Sequence, residues 1–310
     1  MNYDKTIRIP GKIMLSGEYA VLKGARSLSF PVQFGQLFTF SASCNSITIS
    51  TNYKGKQLFN GFFTKKGDIV TTSSSKQARF MEEVLKTIVK IMHKDLPPFN
   101  LEIASEYPLS WGLGSSSSFI TGICRFLDIH PLSVNEKMKH SSGFDVATQW
   151  KETPVLYKKL PRPVLEEAKV DFPFANQLYF VWQGKKQSSK KSIQEFHKIT
   201  WSKNELQRIT TISQELLRIK KIEGFIALIE EHEKTLSKVL KMPVLQEKIS
   251  AFEGIPAKSL GAWGGDFALL VWRESFQKLK LHLRPAGYTV VIPWSKMVLT
   301  NKTVFDGTVA

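Results

Sequence analysis

Residues 106–122 read EYPLSWGLGSSSSFITG: a proline, two glycines bracketing a leucine, four consecutive serines and an apolar run. No other stretch restricts the fold so tightly. It follows a strand-like segment, FNLEIASEY, and precedes SFITGICRFLDI, whose apolar content suits a buried helix ending at His130-Pro131. Gly112 and Gly114 allow the tight turn that joins the two. A helix starting at or just after Ser116 would hold its unpaired N–H groups and the positive end of its dipole over that turn. Such an end is an anion cradle for a di- or triphosphate, with a serine hydroxyl available to a metal ion that bridges phosphates. On these residues alone, a serine-rich N-cap explains the pattern equally well.

The rest of the chain alternates between strand and helix periods. TIRIPGKIML, FGQLFTFSA and SITIS read as strands, and antiparallel hairpins are expected early on. Gln77–Met92 repeats Phe80, Val84, Leu85, Ile88, Ile91 and Met92 at helical spacing. NQLYFVWQG reads as a strand, and Asn204–Leu240 as two amphipathic helices broken near Glu223-Gly224. The end gives the strands DFALLVW and YTVVIPW around a helical ESFQKLKLHL. Mixed elements of this kind predict an α+β fold.

A chain of 310 residues with 42% hydrophobic content can bury a core and has room for two lobes. No stretch approaches the roughly 18 uninterrupted apolar residues of a membrane span, and the N-terminus lacks a secretory pattern, so a cytoplasmic protein is expected. Cys44 and Cys124 read as two ordinary buried thiols. The net charge of +16 predicts attraction of anions without choosing among metabolites, nucleic acid and acidic lipid. The basic stretch GKKQSSKKS, residues 184–192, has no interleaved aromatics for base stacking and reads as a solvated loop.

Two further glycine-bearing segments accompany the serine tract: RIPGKIMLSGEYAVLKG at residues 8–24 and AKSLGAWGGDFALLVW at 257–272. There is no Walker GxxxxGK[ST] consensus. In these three segments the chain resembles the GHMP kinases, the superfamily of galactokinase, homoserine kinase, mevalonate kinase and phosphomevalonate kinase. The family's motifs are a PGK-then-GEHAV segment, a PxxxGLGSSAA loop and an SGAGxGG loop. Here they read Pro10-Gly11-Lys12 with Gly17-Glu18-Tyr19-Ala20-Val21, then Pro108–Ser118, then Ser259–Gly265, in the same order across nearly the whole chain. SSGFDVATQ at 141–149 looks like the family's segment bearing a catalytic aspartate.

The resemblance implies a two-lobed GHMP kinase fold. Residues 1–160 would form an N-terminal α/β lobe with a left-handed βαβ crossover, and residues 161–310 a ferredoxin-like C-terminal lobe. The change of lobe is expected between Trp150 and Asn176. It implies ATP and Mg2+ as cofactors and a small hydroxy acid, possibly phosphorylated, as substrate, in a monomer or homodimer that takes no nucleic acid or membrane as partner. Asp145 would accept or orient the substrate hydroxyl's proton and Lys12 would neutralise developing charge. Read from the residues alone, Asp145 could simply cap a helix and Lys12 could be an exposed strand-end lysine. Pro108, Gly112, Leu113, Gly114, Ser115, Ser116 and Ser117 would bind nucleotide, with Ser117 and Ser118 facing the helix packing. Glu18, Tyr19, Ser142, Gly143, Gly264 and Gly265 would contact substrate. Ser116 and Glu136 would hold the metal, with Asp128 an alternative carboxylate.

The pattern departs from the family at Leu260 and Trp263, where small residues are usual, and in the short distance from Ser118 to Asp145. A nucleotide-binding homologue without turnover, or a kinase for another hydroxy metabolite such as homoserine, is therefore the competing reading. Glu18-Tyr19 and Asp145-Val146 resemble phosphomevalonate kinases, whereas the chain length resembles mevalonate kinases. His140 reads as a turn residue; His232, on the charged stretch LIEEHEKTL, reads as solvent-facing, although the resemblance would bring its helix to the substrate cleft and allow it to face substrate. Trp182, Trp201, Trp272 and Trp294 read as core.

Overall fold

A computed structural model describes residues 4–138, 142–184, 199–261 and 266–299. The first lobe is built on an eight-stranded sheet: β1 (Lys5–Ser16), β2 (Arg26–Ala42), β3 (Ile47–Tyr53), β4 (Lys56–Phe63), β5 (Ile69–Thr72), β6 (Phe99–Ser105), β7 (Val155–Lys158) and β8 (Val164–Glu167). The strand order is β5-β4-β3-β6-β2-β7-β8, with β1 paired to β2. β3 and β6 are parallel neighbours, joined through β4, β5 and helix α1 (Ser75–Met92); the other pairings are antiparallel.

Period-2 alternation on β6 sends Phe99, Leu101 and Ile103 into the core and leaves Glu102 and Ala104 outside it. They meet Phe38 and Phe40 of β2, and α1 covers them with Val84, Leu85 and Ile88, spaced as one helical face. α2 (Ser115–Leu127) adds Phe119, Ile120 and Ile123 to the same core, and Phe126 stacks on Phe40 at 4.0 Å between ring centres. Deleting one such buried side chain, as in Leu85→Ala, costs about 2–5 kcal/mol. This packing keeps α2, and with it the serine tract, fixed relative to the sheet.

The second lobe has β9 (Leu178–Trp182), β10 (Ala257–Leu260), β11 (Phe267–Val271) and β12 (Val291–Pro293) in the order β10-β11-β9-β12, all antiparallel. In sequence they run β9, a helical segment, β10, β11, a second helical segment, β12, which is the expected split βαβ, ferredoxin-like pattern. One face of this sheet packs with Ile13, Leu15, Phe30 and Leu113 of the first lobe in a single apolar cluster. The lobes therefore share a core.

Several elements differ from the sequence reading. The chain after His130 enters another helix, α3 (Pro131–Met138), because proline fits a first helical position. α4 (Phe144–Lys151) includes Asp145 in its first turn. The helices α5 (Lys203–Glu215) and α6 (Ile222–Leu240) part at 216–221, and Gly224 lies inside α6 against Ile219. β8 still pairs with β7, so sheet membership changes after residue 167. Cys44 is exposed, contrary to the expectation of two buried thiols, and only Cys124 is buried. Trp294 is a core residue, whereas Trp182, Trp201 and Trp272 are half-buried. Residues 185–192 of the basic stretch and His140 lie outside the described residues. No described helix is long and apolar enough to cross a membrane.

Candidate active site

The turn before α2 is set by its two glycines. Gly112 has φ +71°, and a Cβ there would stand 2.0 Å from Asp266 Oδ2. Gly114 has φ +92°, and a Cβ there would press on Ser117 Oγ at 2.9 Å and on the Lys12 side chain at 3.0 Å. Side chains rarely adopt either conformation, and neither has space for one. α2 begins at Ser115 with no side chain capping it, so its first-turn amides look out over the loop. Ser116 is exposed and Ser115 half-buried, while Ser117 and Ser118 are buried, each donating its hydroxyl to the Gly114 carbonyl. The tract thus divides into an open half and a packed half. Pro108 lies just before the short turn Leu109–Trp111, and buried Leu113 accepts the Lys12 N–H through its carbonyl at 2.9 Å.

β1 carries Lys12 alongside this loop. The Lys12 ammonium lies 5.0 Å from the centre of the Phe144 ring, one residue before Asp145. Gln149 of α4 donates to the Gly114 carbonyl at 3.2 Å and to Ser118 Oγ at 2.7 Å, which ties the helix bearing Asp145 to the loop. The turn ahead of α4 is held from below by Tyr157 of β7, whose hydroxyl donates to the Ser142 carbonyl at 2.9 Å. Gly143 starts that helix as its N-cap, and both Ser142 and Gly143 are buried. Burial pushes the Tyr157 phenol up, and the carboxylates of Asp145 and Glu136 add to the shift, so both acids lie near this tyrosine. Glu136 is exposed on α3, and Asp128, also exposed, caps the far end of α2.

The second lobe closes the other side. A narrow cleft is lined by Lys12, Trp111, Gly112, Gly261, Asp266 and Phe267, among others. Trp111 sits edge-on between Phe34 and Phe267, at 5.5 and 5.7 Å between ring centres, and walls the cleft. The Asp266 carboxylate at Gly112 puts a negative charge beside the loop. Trp263, Gly264 and Gly265 lie outside the described residues.

Glu18 and Tyr19 do not lie open to the cleft. Glu18 is 4% exposed, and Tyr19 packs on Leu236 and Leu240 of α6. The Lys258 ammonium, fully buried, donates to Glu18 Oε1 at 2.7 Å and to the Ser259 carbonyl at 2.8 Å. Glu233 Oε1 stands 3.8 Å from that ammonium and accepts from the Ser259 N–H and hydroxyl at 3.1 and 2.9 Å. His232, which the sequence placed in solvent, is fully buried: its Nε2 accepts the Gly17 N–H at 2.9 Å and lies 3.3 Å from Glu18 Oε2. Burial and the Lys258 charge hold His232 well below its ordinary value, which keeps it neutral. Burial pushes the Glu18 carboxyl up against the opposing pull of Lys258 and Lys12. It pushes Glu233 up to about 7, again against Lys258. The spacing of α6 carried a signal for this: Phe225, Ile229, His232 and Leu236 share one helical stripe.

Among the described residues no three His, Cys, Asp or Glu side chains cluster as a self-sufficient metal cage. Mg2+ is ordinarily bound through one or two carboxylates plus phosphate oxygens and water. Ser116 and Glu136, both exposed, are donors of the right kind.

Residues 79–149 match the family described as GHMP kinases N terminal domain. A search of curated protein sequences gives no significant match. Among solved structures, the Methanococcus jannaschii mevalonate kinase is 20% identical, with TM-score 0.68, covering 93% of this chain and 97% of its own. The Streptococcus pneumoniae phosphomevalonate kinase, solved with phosphomevalonate and AMPPNP, is 19% identical, with TM-score 0.71 and coverage of 93% and 99%. L. major mevalonate kinase, solved with R-mevalonate, is 16% identical, with TM-score 0.61 and coverage of 95% and 94%. At such identities the likeness to these structures is one of fold. Residues 79–149 thus match the GHMP kinase N-terminal domain family, and the chain as a whole shares the two-lobed fold of the mevalonate and phosphomevalonate kinase structures.

Proposed function

We propose that this protein transfers the γ-phosphate of ATP to the hydroxyl group of a mevalonate-pathway acid, mevalonate or phosphomevalonate. The observation that carries the reading is the convergence of an uncapped helix end, Lys12 and the helix of Asp145 on one side of the cleft, with Gln149 bonding that helix to the loop. The amides of Ser115–Ser117 and the α2 dipole hold the polyphosphate. Asp145 orients the acceptor hydroxyl and takes its proton, and Lys12 offsets charge on the transferred phosphoryl group. Ser116 and Glu136 would hold Mg2+, which would neutralise phosphate charge when bound. Glu18, Tyr19, Ser142 and Gly143 shape the acceptor side, Glu18 and Tyr19 from behind the wall. A soluble protein of the cytoplasm, monomeric or dimeric, fits this role.

Fold alone does not select the acceptor, so the test is ADP release with mevalonate, phosphomevalonate, homoserine and galactose. Turnover with one of the first two is expected. A folded, ATP-binding sample that turns over none of the four overturns the substrate class and favours a nucleotide-binding role, for which the Asp266 carboxylate against the loop is the motivating feature. Asp145→Asn is expected to lower kcat by about 10²–10⁴-fold while ATP still binds. Retained activity would remove Asp145 from the reaction.

A further inference from the structure

The buried group of Glu18, His232, Glu233 and Lys258 takes no direct part in the transfer. Removing an ammonium and a carboxylate from water costs several kcal/mol per ion, and apolar residues of the same volume often stabilise as well or better. Stability therefore gives no account of the cluster. An ion pair supplies something an apolar contact lacks, which is one fixed geometry between two segments.

The segments it joins are those that border the cleft. Glu18 is the centre of Gly17-Glu18-Tyr19, which directly follows β1, the strand of Lys12; Gly17 has φ +96° and Tyr19 φ +59°. Lys258 belongs to β10, three residues ahead of Gly261 in the cleft wall. His232 of α6 fixes the same turn from a third direction through the Gly17 N–H. Tyr19, a non-glycine residue in the left-handed region, is held there by these bonds and by its packing on α6.

We infer that Lys258 is a positioning residue for phosphoryl transfer, acting through Glu18: it locks the end of β1 onto β10 and so fixes Lys12 and the serine loop relative to Gly261 and Asp266. This rests on the kinase reading above. A misplacement of about 1 Å at a reacting centre costs about 100-fold in rate.

The test is a cycle of Lys258→Met, Glu18→Gln and the double variant, assayed for kcat and for the KM of ATP. Lys258→Met is expected to lower kcat about 10- to 100-fold with the KM of ATP within about twofold. The double variant should match Glu18→Gln alone, since Lys258 acts through that carboxylate. A kcat for Lys258→Met within about twofold of the parent overturns the inference, as do losses that multiply in the double variant. Where Lys258→Met fails to fold, the double variant, which leaves no unpaired charge on Glu18, is compared with Glu18→Gln; equal kcat supports the inference and a further fall overturns it. Where the parent turns over no acceptor, the kinase reading fails separately, and the inference is read from amide hydrogen exchange. Faster exchange across 17–21 in Lys258→Met (or, where that does not fold, the double variant), with α1 unchanged, supports the lock, and unchanged exchange overturns it.

Discussion

Replacing Glu233 by glutamine should remove a specific loss of stability on the alkaline side. The carboxyl is buried beside Lys258 and is pushed from its ordinary 4.5 to about 7 in the folded protein. A group with a raised folded pKa holds its proton more tightly in the folded than in the unfolded chain. Its contribution is therefore complete below pH 4.5 and is lost as pH rises through 7. A shift of this size corresponds to about 3 kcal/mol over that interval. The introduced glutamine would keep an oxygen to accept the two Ser259 bonds but would not titrate. Urea unfolding of parent and Glu233→Gln at half-unit steps from about pH 4.5 to 8.5 should give a difference that grows toward high pH by about 3 kcal/mol. His232 contributes the opposite slope in both proteins, so it drops out of the difference. The Glu18 charge helps raise Glu233, and adding Glu18→Gln should move the parent's loss to lower pH. A difference that stays flat with pH would refute the reasoning.

Gly112→Ala sets a Cβ 2.0 Å from Asp266 Oδ2 at φ +71°. It should lower unfolding free energy by about 1–3 kcal/mol and weaken ATP binding by calorimetry, with Asp266→Ala recovering part of both. His232→Phe leaves the buried Gly17 N–H without its acceptor and should cost about 1–3 kcal/mol at pH 7. Because the folded protein keeps His232 neutral, the parent loses stability as pH falls below 6.5, so the gap between the two should narrow in denaturant titrations at about pH 5. A maleimide should label Cys44 rapidly in the native protein and Cys124 only on unfolding, as read by intact mass, because burial pushes the Cys124 thiol up to about 12.

The parts of the fold that were legible are those written in contiguous residues. The helical spacing from Phe80 to Met92 and the alternation in FNLEIASEY each state a period, and α1 and β6 follow them. The strand–turn–helix around Gly112–Ser118 is likewise local, whereas the division between open and packed serines came from the resemblance of that loop to the GHMP kinase motif. β7, β8 and β10 are four residues each, too short to state a period, and Lys258 lies on a strand buried at all four positions. The lock is written between residues 215 and 240 apart in sequence. Nothing in either segment alone pairs a lysine with a glutamate at that separation, so Glu18 reads as a substrate contact until the sheets are assembled. His232 was misread for another reason: charged neighbours at Glu230, Glu231 and Lys234 hid the apolar stripe to which it belongs.

The +16 charge bears on the site differently from what its size suggests. Among the described residues lining the cleft, Lys12 is the one cation, and Asp266 opposes it. Lys258 is buried and consumed by Glu18. On the proposed kinase reading, most of the grip on phosphate falls to uncharged groups, the amides and dipole of α2, whose attraction acts within the first turn, with Lys12 as the one protein cation beside them. The surplus of lysine and arginine acts at longer range, drawing anionic ligands toward the protein, and salt screens it beyond about 8 Å at physiological ionic strength. Capture and grip thus rest on separate residues: one is spread over the surface, and the other depends on two glycines whose replacement no surface charge can offset.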